Sequence, residues 1–229
     1  MTRDEAVAII QEQLGFRSDL STNIITNLKL AQTMLEKGPT KPWFLVSEDS
    51  YIRTTSAEQR LPLPSDFLQE TDDAVLRYVP DTATDGEVEL VKDSYDQLRV
   101  RYFDPDTGVT ETGEPEAYAL LGEYFRIFPT PDDDYLIRQV YYKTDTVLST
   151  NVENGWLKHC PYLIIGKAGA QIASAMRDSG ALATFQRWEN EGRIVLLSST
   201  IDREMANRDM QIGGSHRWGW NLRLILMTW

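Results

Sequence analysis

The chain has 229 residues, enough for one large domain or two small ones with a buried core. Its composition, 41% hydrophobic and 25% charged, is that of a globular protein and excludes a disordered or low-complexity polypeptide. Its 35 acidic and 23 basic side chains give a net charge of −12, which argues against a protein that wraps nucleic acid by neutralising phosphates.

The negative charge is concentrated in the middle of the chain. Residues 1–40 have a net charge of −1, residues 41–155 carry 24 acidic and 10 basic side chains for −14, and residues 156–229 have +3. A charge excess of this kind normally indicates a solvated surface. Its functional alternative is a wall that repels the phosphates of a passing nucleic acid.

The cysteine content and the N-terminal residues predict where the protein is made. With Cys160 as its one cysteine, the chain forms no internal disulfide and needs no oxidising environment. The N-terminal residues are acidic where a signal peptide is basic, and no apolar stretch reaches the ~20 residues that span a bilayer. We therefore expect a soluble protein made in the cytoplasm.

The first forty residues predict two helices that pack as an antiparallel pair. Gly15 is placed to end the first helix, Ser18 and Asp19 to cap the second, and Lys37-Gly38-Pro39 to end it. The apolar residues at helical spacing are Val7, Ile10, Leu14, Leu28, Ala31 and Leu35.

From Trp43 onward, short β-branched and aromatic runs alternate with turn residues, which is typical of antiparallel strands. Polar residues at alternate positions favour a sheet with one solvated face. The predicted strands are 43–46, 74–79, 87–91, 98–103, 117–121, 124–128 and 135–142.

The helical pattern returns near Asn151. After a short turn at 156–159, Pro161 suits the first position of a nearly all-apolar helix that runs to about Asp178. Gly166 and Gly169 inside this helix indicate close helix packing. A last helix is predicted from Ala181 to about Asp209, in which Gly192 costs about 1 kcal/mol relative to Ala and suggests a bend. Its predicted contact residues are Leu182, Phe185, Trp188, Ile201 and Met205.

These elements predict an α+β fold. Residues 1–40 and 156–209 form a helical bundle domain, residues 41–155 an antiparallel β-rich insertion, and residues 210–229 an extended C-terminal tail.

The C-terminal tail contains no acidic residue after the Gly213-Gly214 joint. One interpretation is a final strand or strand pair that completes the sheet. We favour a second interpretation, a tail that docks into another subunit or partner, because Trp and Arg dominate binding hot spots. The candidate docking residues are Arg217, Trp218, Trp220, Leu222, Arg223, Leu224, Leu226 and Trp229.

Catalysis has little support in the sequence. His159 and Cys160 are neighbours, but no thiol-nucleophile signature accompanies them, and we expect Cys160 to be a buried apolar residue. Asp132-Asp133-Asp134 could offer oxygen ligands to Mg²⁺ or Ca²⁺ in a metal-dependent hydrolase, yet the spacing and glycine of a calcium loop are absent. We interpret the triplet as a solvated turn and expect no enzyme activity, no metal site and no cofactor.

Several segments occur in an order that resembles one known family. They are 61–67 (LPLPSDF), 124–131 (YFRIFPTP) leading into 135–142, 154–157 (NGWL), 160–164 (CPYLI) and the helix with Phe185, Trp188 and Glu189. Over residues 3–208 this order resembles the head-to-tail adaptor, or connector, proteins of short-tailed bacteriophages.

The resemblance implies a virion structural protein of the neck, made in the host cytoplasm, with no membrane partner. Twelve copies would form a ring beneath the portal protein, extend the channel for double-stranded DNA without binding it specifically, and offer a platform to tail nozzle or tail fibre proteins. It also implies a monomer until the portal templates the ring. The alternatives are a tail-completion or nozzle component that contacts tail proteins and not the portal, and a soluble host-interaction protein.

Overall fold

The computed structural model describes residues 1–71, 75–80, 86–150 and 152–211, with side chains up to residue 203. It is 44% helical and 26% strand, with helices at both ends and a β-rich middle, which confirms the predicted mixed architecture. The helices are α1 (Arg3–Gln13), α2 (Ser21–Glu36), α3 (Tyr95–Arg101), α4 (Gly155–His159), α5 (Pro161–Met176) and α6 (Ser179–Gln211), with 3-10 turns at Ser18–Leu20 and Trp43–Leu45.

The N-terminal helices begin and end largely as predicted. Thr2 and Glu5 form a reciprocal capping box at the start of α1, and Gly15 follows its end with a φ of +74°. The predicted cap of α2 is wrong, because Ser18 and Asp19 lie in the preceding 3-10 turn and Asp19 instead pairs with Arg17 at 2.7 Å.

The middle of the chain forms two main sheets where the sequence predicted one. The strands are β1 (Val46–Arg53), β2 (Arg60–Pro62), β3 (Phe67–Glu70), β4 (Leu76–Val79), β5 (Val88–Glu89), β6 (Val91–Lys92), β7 (Phe103–Asp104), β8 (Val109–Thr110), β9 (Thr112–Gly113), β10 (Ala117–Leu121), β11 (Tyr124–Phe128), β12 (Thr130–Pro131) and β13 (Leu136–Lys143). The first sheet has the order β1-β13-β4-β5 with β3 also on β13, and the second has β2-β11-β10-β6. Pairing is antiparallel except between β6 and β10 and between β9 and β12.

Two predicted strands are wrong. Residues 98–103 lie mostly in α3, where Ser94 accepts a hydrogen bond from the Gln97 amide and Leu98 and Tyr102, four apart, are both buried. Residues 43–45 form a 3-10 turn, and β1 begins only at Val46. At residues 98–103, tertiary packing of the spaced residues Leu98 and Tyr102 overrides the β propensity of the local sequence.

The buried apolar residues form three clusters. The largest unites α1, α2, α4, α5 and α6 with the segments that lead into and out of the β-rich middle, and includes Leu45 and Leu148. A second lies between the two main sheets around Tyr118 and Phe125, and a third joins α3 to β10 and Phe128. The helical part, the pair of main sheets and the α3 region therefore each have an apolar cluster of their own.

Helices α5 and α6 approach each other at three glycines. A Cβ atom at Gly166 would lie 2.4 Å from the Glu189 amide nitrogen, and one at Gly192 would lie 2.4 Å from that of Leu163. At Gly169 it would lie 2.4 Å from the Phe185 ring. Real Cβ contacts are not this short, so these positions require glycine. The prediction of close packing at Gly166 and Gly169 is confirmed, and Gly192 is explained by the same approach.

A buried polar network connects α2 to the segment that returns from β13. Glu36 Oε1 accepts hydrogen bonds from the Gln32 side chain at 2.8 Å and from the Asp145 amide at 3.1 Å. Asn154 donates to the Thr146 carbonyl at 2.6 Å and caps α4 by accepting from the Trp156 amide. Because Gln32, Glu36 and Asn154 are buried, loss of one partner would leave another unsatisfied.

Substitution of Gly169 tests the approach of α5 to α6. Gly169→Ala should lower the free energy of unfolding by about 1–3 kcal/mol, because the new methyl group overlaps the Phe185 ring. Equilibrium unfolding in guanidinium chloride measures the change.

Gly180→Ala is the matched control on α6. A Cβ there meets only Asp178 Oδ1 at 3.6 Å, so this variant should be at least as stable as the parent chain. Equal stability of the Gly169→Ala variant and the parent would show that the two helices do not need the glycine.

Candidate functional site: surfaces for assembly

The described chain carries open depressions on its surface. Two open depressions stand out: one of about 360 Å³ is lined by Pro62, Leu63 and Tyr124, and one of about 300 Å³ by Arg99, Val100 and Phe103. Both are shallow beside exposed apolar side chains, which suits contact with another protein. No helix in the described ranges is both long enough and apolar enough to cross a membrane.

Cys160 and His159 lie in different surroundings, the thiol buried in the core and the imidazole among aromatic rings. Cys160 is 3% exposed, and burial raises the pKa of its thiol to about 11. The His159 ring stacks on Phe44 with centroids 5.1 Å apart and contacts the Trp43 ring with centroids 4.7 Å apart. Burial is the main cause that lowers the pKa of His159, and the positive charge of Lys158 lowers this pKa further. The prediction that Cys160 is a buried apolar residue is confirmed.

The Asp132-Asp133-Asp134 triplet forms a turn that bonds to residues 54–56. The Ser56 hydroxyl donates to the Asp132 carbonyl at 2.9 Å, and the Thr54 hydroxyl donates to the Asp133 carbonyl at 3.0 Å. The Tyr135 hydroxyl donates to Asp132 Oδ1 at 2.5 Å, and this bond raises the pKa of Tyr135. Within the described residues, no three His, Cys, Asp or Glu side chains are grouped to hold a metal ion.

The same turn is the centre of an exposed acidic patch. The parallel pairing of β9 with β12 brings the segment at 111–114 beside the segment at 130–134, and the Ala57 amide binds the Pro131 carbonyl at 2.8 Å. We define the acidic patch by the exposed residues Glu58, Glu111, Glu114, Asp132, Asp133 and Asp134. Only Glu58 among them forms an ion pair within the described chain, at 3.9 Å to Arg60, so the patch retains most of its negative charge.

The C-terminal half of α6 forms a second exposed surface. Arg203 lies over the Trp43 ring at 3.3 Å from its centroid and holds one side of the helix against the bundle. On another side, Ile194, Leu197 and Ile201 are exposed. The prediction that Ile201 packs inside the bundle is therefore wrong, whereas Phe185 is fully buried as predicted.

Sequence reasoning did not select Ile194 and Leu197 as surface residues. The signal was present, because residues 194, 197 and 201 repeat at helical spacing on the side opposite Phe185, Gly192 and Leu196. The predicted docking residues 217–229 and the predicted contact Met205 lie outside the described side chains. Their placement stays a prediction.

Comparison with protein families identifies a family that the chain matches. The model of the family described as SU10 adaptor protein matches residues 1–211, which include the six described helices and both main sheets. The search of curated proteins finds no match to this chain.

The burial of Cys160 has a direct test. Because the thiol is enclosed and its pKa is raised to about 11, a thiol reagent at pH 8 should label the native chain far more slowly than the chain unfolded in guanidinium chloride. Absorbance of the released chromophore measures both rates. Rapid, complete labelling of the native protein would contradict the buried position of Cys160.

Proposed function

Since the family model covers 211 of the 229 residues, the chain belongs to the SU10 adaptor protein family, and we propose that it forms a ring beneath the phage portal. The family makes it a structural adaptor of the virion neck. The match over residues 1–211 is the observation that carries this proposal. The proposed ring has twelve copies, joins the portal to tail nozzle or tail fibre proteins, and surrounds the DNA channel.

The acidic patch supports the part of the proposal that concerns DNA. A channel lined by lysine and arginine would retain DNA, because each neutralised phosphate releases a counterion and strengthens binding. Exposed Glu111, Glu114 and Asp133 carry the opposite charge and would keep the phosphates away from the wall. We therefore propose that the acidic patch faces the lumen.

The C-terminal tail supports the part that concerns the portal. Residues 213–229 contain two arginines, three tryptophans and no acidic residue, a composition suited to insertion between subunits of another protein. In the proposed assembly Arg217, Trp218, Trp220, Leu222, Arg223, Leu224, Leu226 and Trp229 dock on the portal.

Deletion of residues 213–229 tests portal docking. The truncated chain should keep the thermal transition of the full chain and fail to co-sediment with DNA-filled heads that carry the portal. A full-length Trp218→Ala, Trp220→Ala variant should show the same loss of binding without a deletion.

Two results of this experiment would overturn the docking role. If the truncated chain unfolds, the tail is part of the core. If it is folded and still joins the heads, other residues contact the portal. Binding of the full chain to isolated tail proteins but not to portal would favour the nozzle role instead.

Charge reversal at the acidic patch tests its place in the channel. In assembled particles, Glu111→Lys with Glu114→Lys should slow DNA release, because the new cations attract phosphates, and added salt should reduce the difference. A fluorescent DNA dye measures the release rate.

Glu48→Lys with Asp49→Lys is the matched control. These two exposed acids lie at an irregularity of β1 and outside the acidic patch. The control should release DNA at the parent rate. Equal rates for the patch variant, the control and the parent would show that the acidic patch does not face the DNA.

A further inference from the structure

Strand β1 is the longest strand at the edge of a sheet in the described chain. It has eight residues, Val46–Arg53, and among the described strands it pairs with β13 alone. The other outer strands of the two main sheets, β2, β3, β5 and β6, have two to four residues each. A long edge presents backbone donors and acceptors to which a further strand can bind.

The pairing of β1 with β13 shows which amides of β1 are free. The Thr54 amide donates to the Tyr135 carbonyl at 2.9 Å. In an antiparallel pair the direction of the amides alternates, so those of Tyr51 and Arg53 point away from β13. Neither has a hydrogen-bond acceptor within the described part of the chain. Two backbone donors are therefore available to a partner strand.

The surroundings of this edge are acidic. Glu48 and Asp49 are exposed at an irregularity of the β1 pairing, and neither forms an ion pair with a described residue. Arg53, the one cation of β1, donates to the Asp134 carbonyl at 3.3 Å and lies beside the acidic patch. Arg138 of the neighbouring β13 is already paired with a glutamate at 2.7 Å. A basic strand would be attracted to this edge, and an acidic one would be repelled.

Residues 217–226 have the alternation of a strand and the opposite charge. The large apolar side chains at every second position are Trp218, Trp220, Leu222, Leu224 and Leu226. Between them lie Arg217, Gly219, Asn221 and Arg223, and the segment contains no acidic residue. A period of two is typical of a strand with one apolar face.

The end of α6 lies within reach of β1. Arg203 lies over the Trp43 ring, and Trp43 precedes the first residue of β1 by three positions. Helix α6 continues to Gln211, which is ~12 Å further along the helix axis. Residues 212–216 can span up to ~20 Å, which allows residue 217 to return to the beginning of β1. From there a strand of ~33 Å, the length of residues 217–226, covers the whole edge.

From these observations we propose that, in the free chain, residues 217–226 add to the edge of their own β1 as a further strand. This strand accepts hydrogen bonds from the two free amides of β1. Its apolar side extends the cluster between the two main sheets at Ile52, which is only partly buried there. Its arginines lie near Glu48 and Asp49, where they neutralise an acidic edge.

The inference rests on the proposed portal docking for its consequence, because it describes the same tail before the portal is present. A strand edge can pair with one partner at a time, so docking on the portal requires residues 217–226 to leave β1. The contact therefore keeps the apolar side of the tail covered in the free chain. In assembled particles the tail is on the portal, and Glu48 and Asp49 have no contact with it.

Amide hydrogen exchange, followed by heteronuclear NMR on the full-length free chain, tests this pairing. The Tyr51 and Arg53 amides should exchange at least ~10-fold more slowly in the parent than in the double variant Asn221→Pro, Leu222→Pro. Neighbouring amides of a strand point to opposite sides, so one of the two prolines removes a hydrogen bond to β1.

Ser215→Pro with His216→Pro is the matched control. These prolines precede the alternating segment, so the control should keep the slow exchange of the parent. Exchange should also be the same at low and high chain concentration, because the strand and the edge belong to one molecule.

Three results would overturn the inference. Equal exchange of the two amides in the parent and in the Asn221→Pro, Leu222→Pro variant would show that the tail does not cover β1. Protection that rises with chain concentration, with dimers in light scattering, would assign the edge to the tail of a second copy. Unfolding of the proline variant would show that the tail is part of the core. Since no portal is present in these measurements, equal exchange would leave the proposed docking to its own test with DNA-filled heads.

Discussion

The contact between α5 and α6 is the constraint on which the helical part of the molecule depends. Gly166, Gly169 and Gly192 are the positions where a side chain would collide with the opposing backbone or with Phe185. Without them the two helices would have to separate, and the Phe185 side chain would lose its enclosed position in the core. Because 33-residue α6 is twice as long as 16-residue α5, its C-terminal half continues beyond this contact and presents a free side.

The second constraint is polar and joins the helices to the β-rich middle. Gln32, Glu36 and Asn154 are buried, and together they satisfy backbone groups of the segment at 145–157. A buried network of this kind favours one arrangement of its partners, since any displacement leaves a polar group without a hydrogen bond. Apolar packing therefore fixes α6 on α5, and buried hydrogen bonds fix α2 to the segment that follows β13.

Much of this fold can be predicted from the sequence because its strongest signals are local. Pro161 begins α5, β10 and β11 match the predicted bounds, and the glycines of α5 indicate close packing before any partner is known. Leu98 shows the limit: its β-branched and aromatic neighbours favour a strand, but burial of Leu98 and Tyr102 on one side stabilises a helix. The acidic patch depends on pairing between distant strands, and the exposure of Ile194, Leu197 and Ile201 depends on which side of α6 is occupied by α5. Neither can be deduced from composition.

An image of the phage neck tests the central claim most directly. Electron cryo-microscopy of intact particles at a resolution that separates helices should show a ring of this chain directly beneath the portal, with the acidic patch facing the DNA. Density for the chain at the distal end of the tail, or a ring whose acidic patch faces outward, would contradict the account.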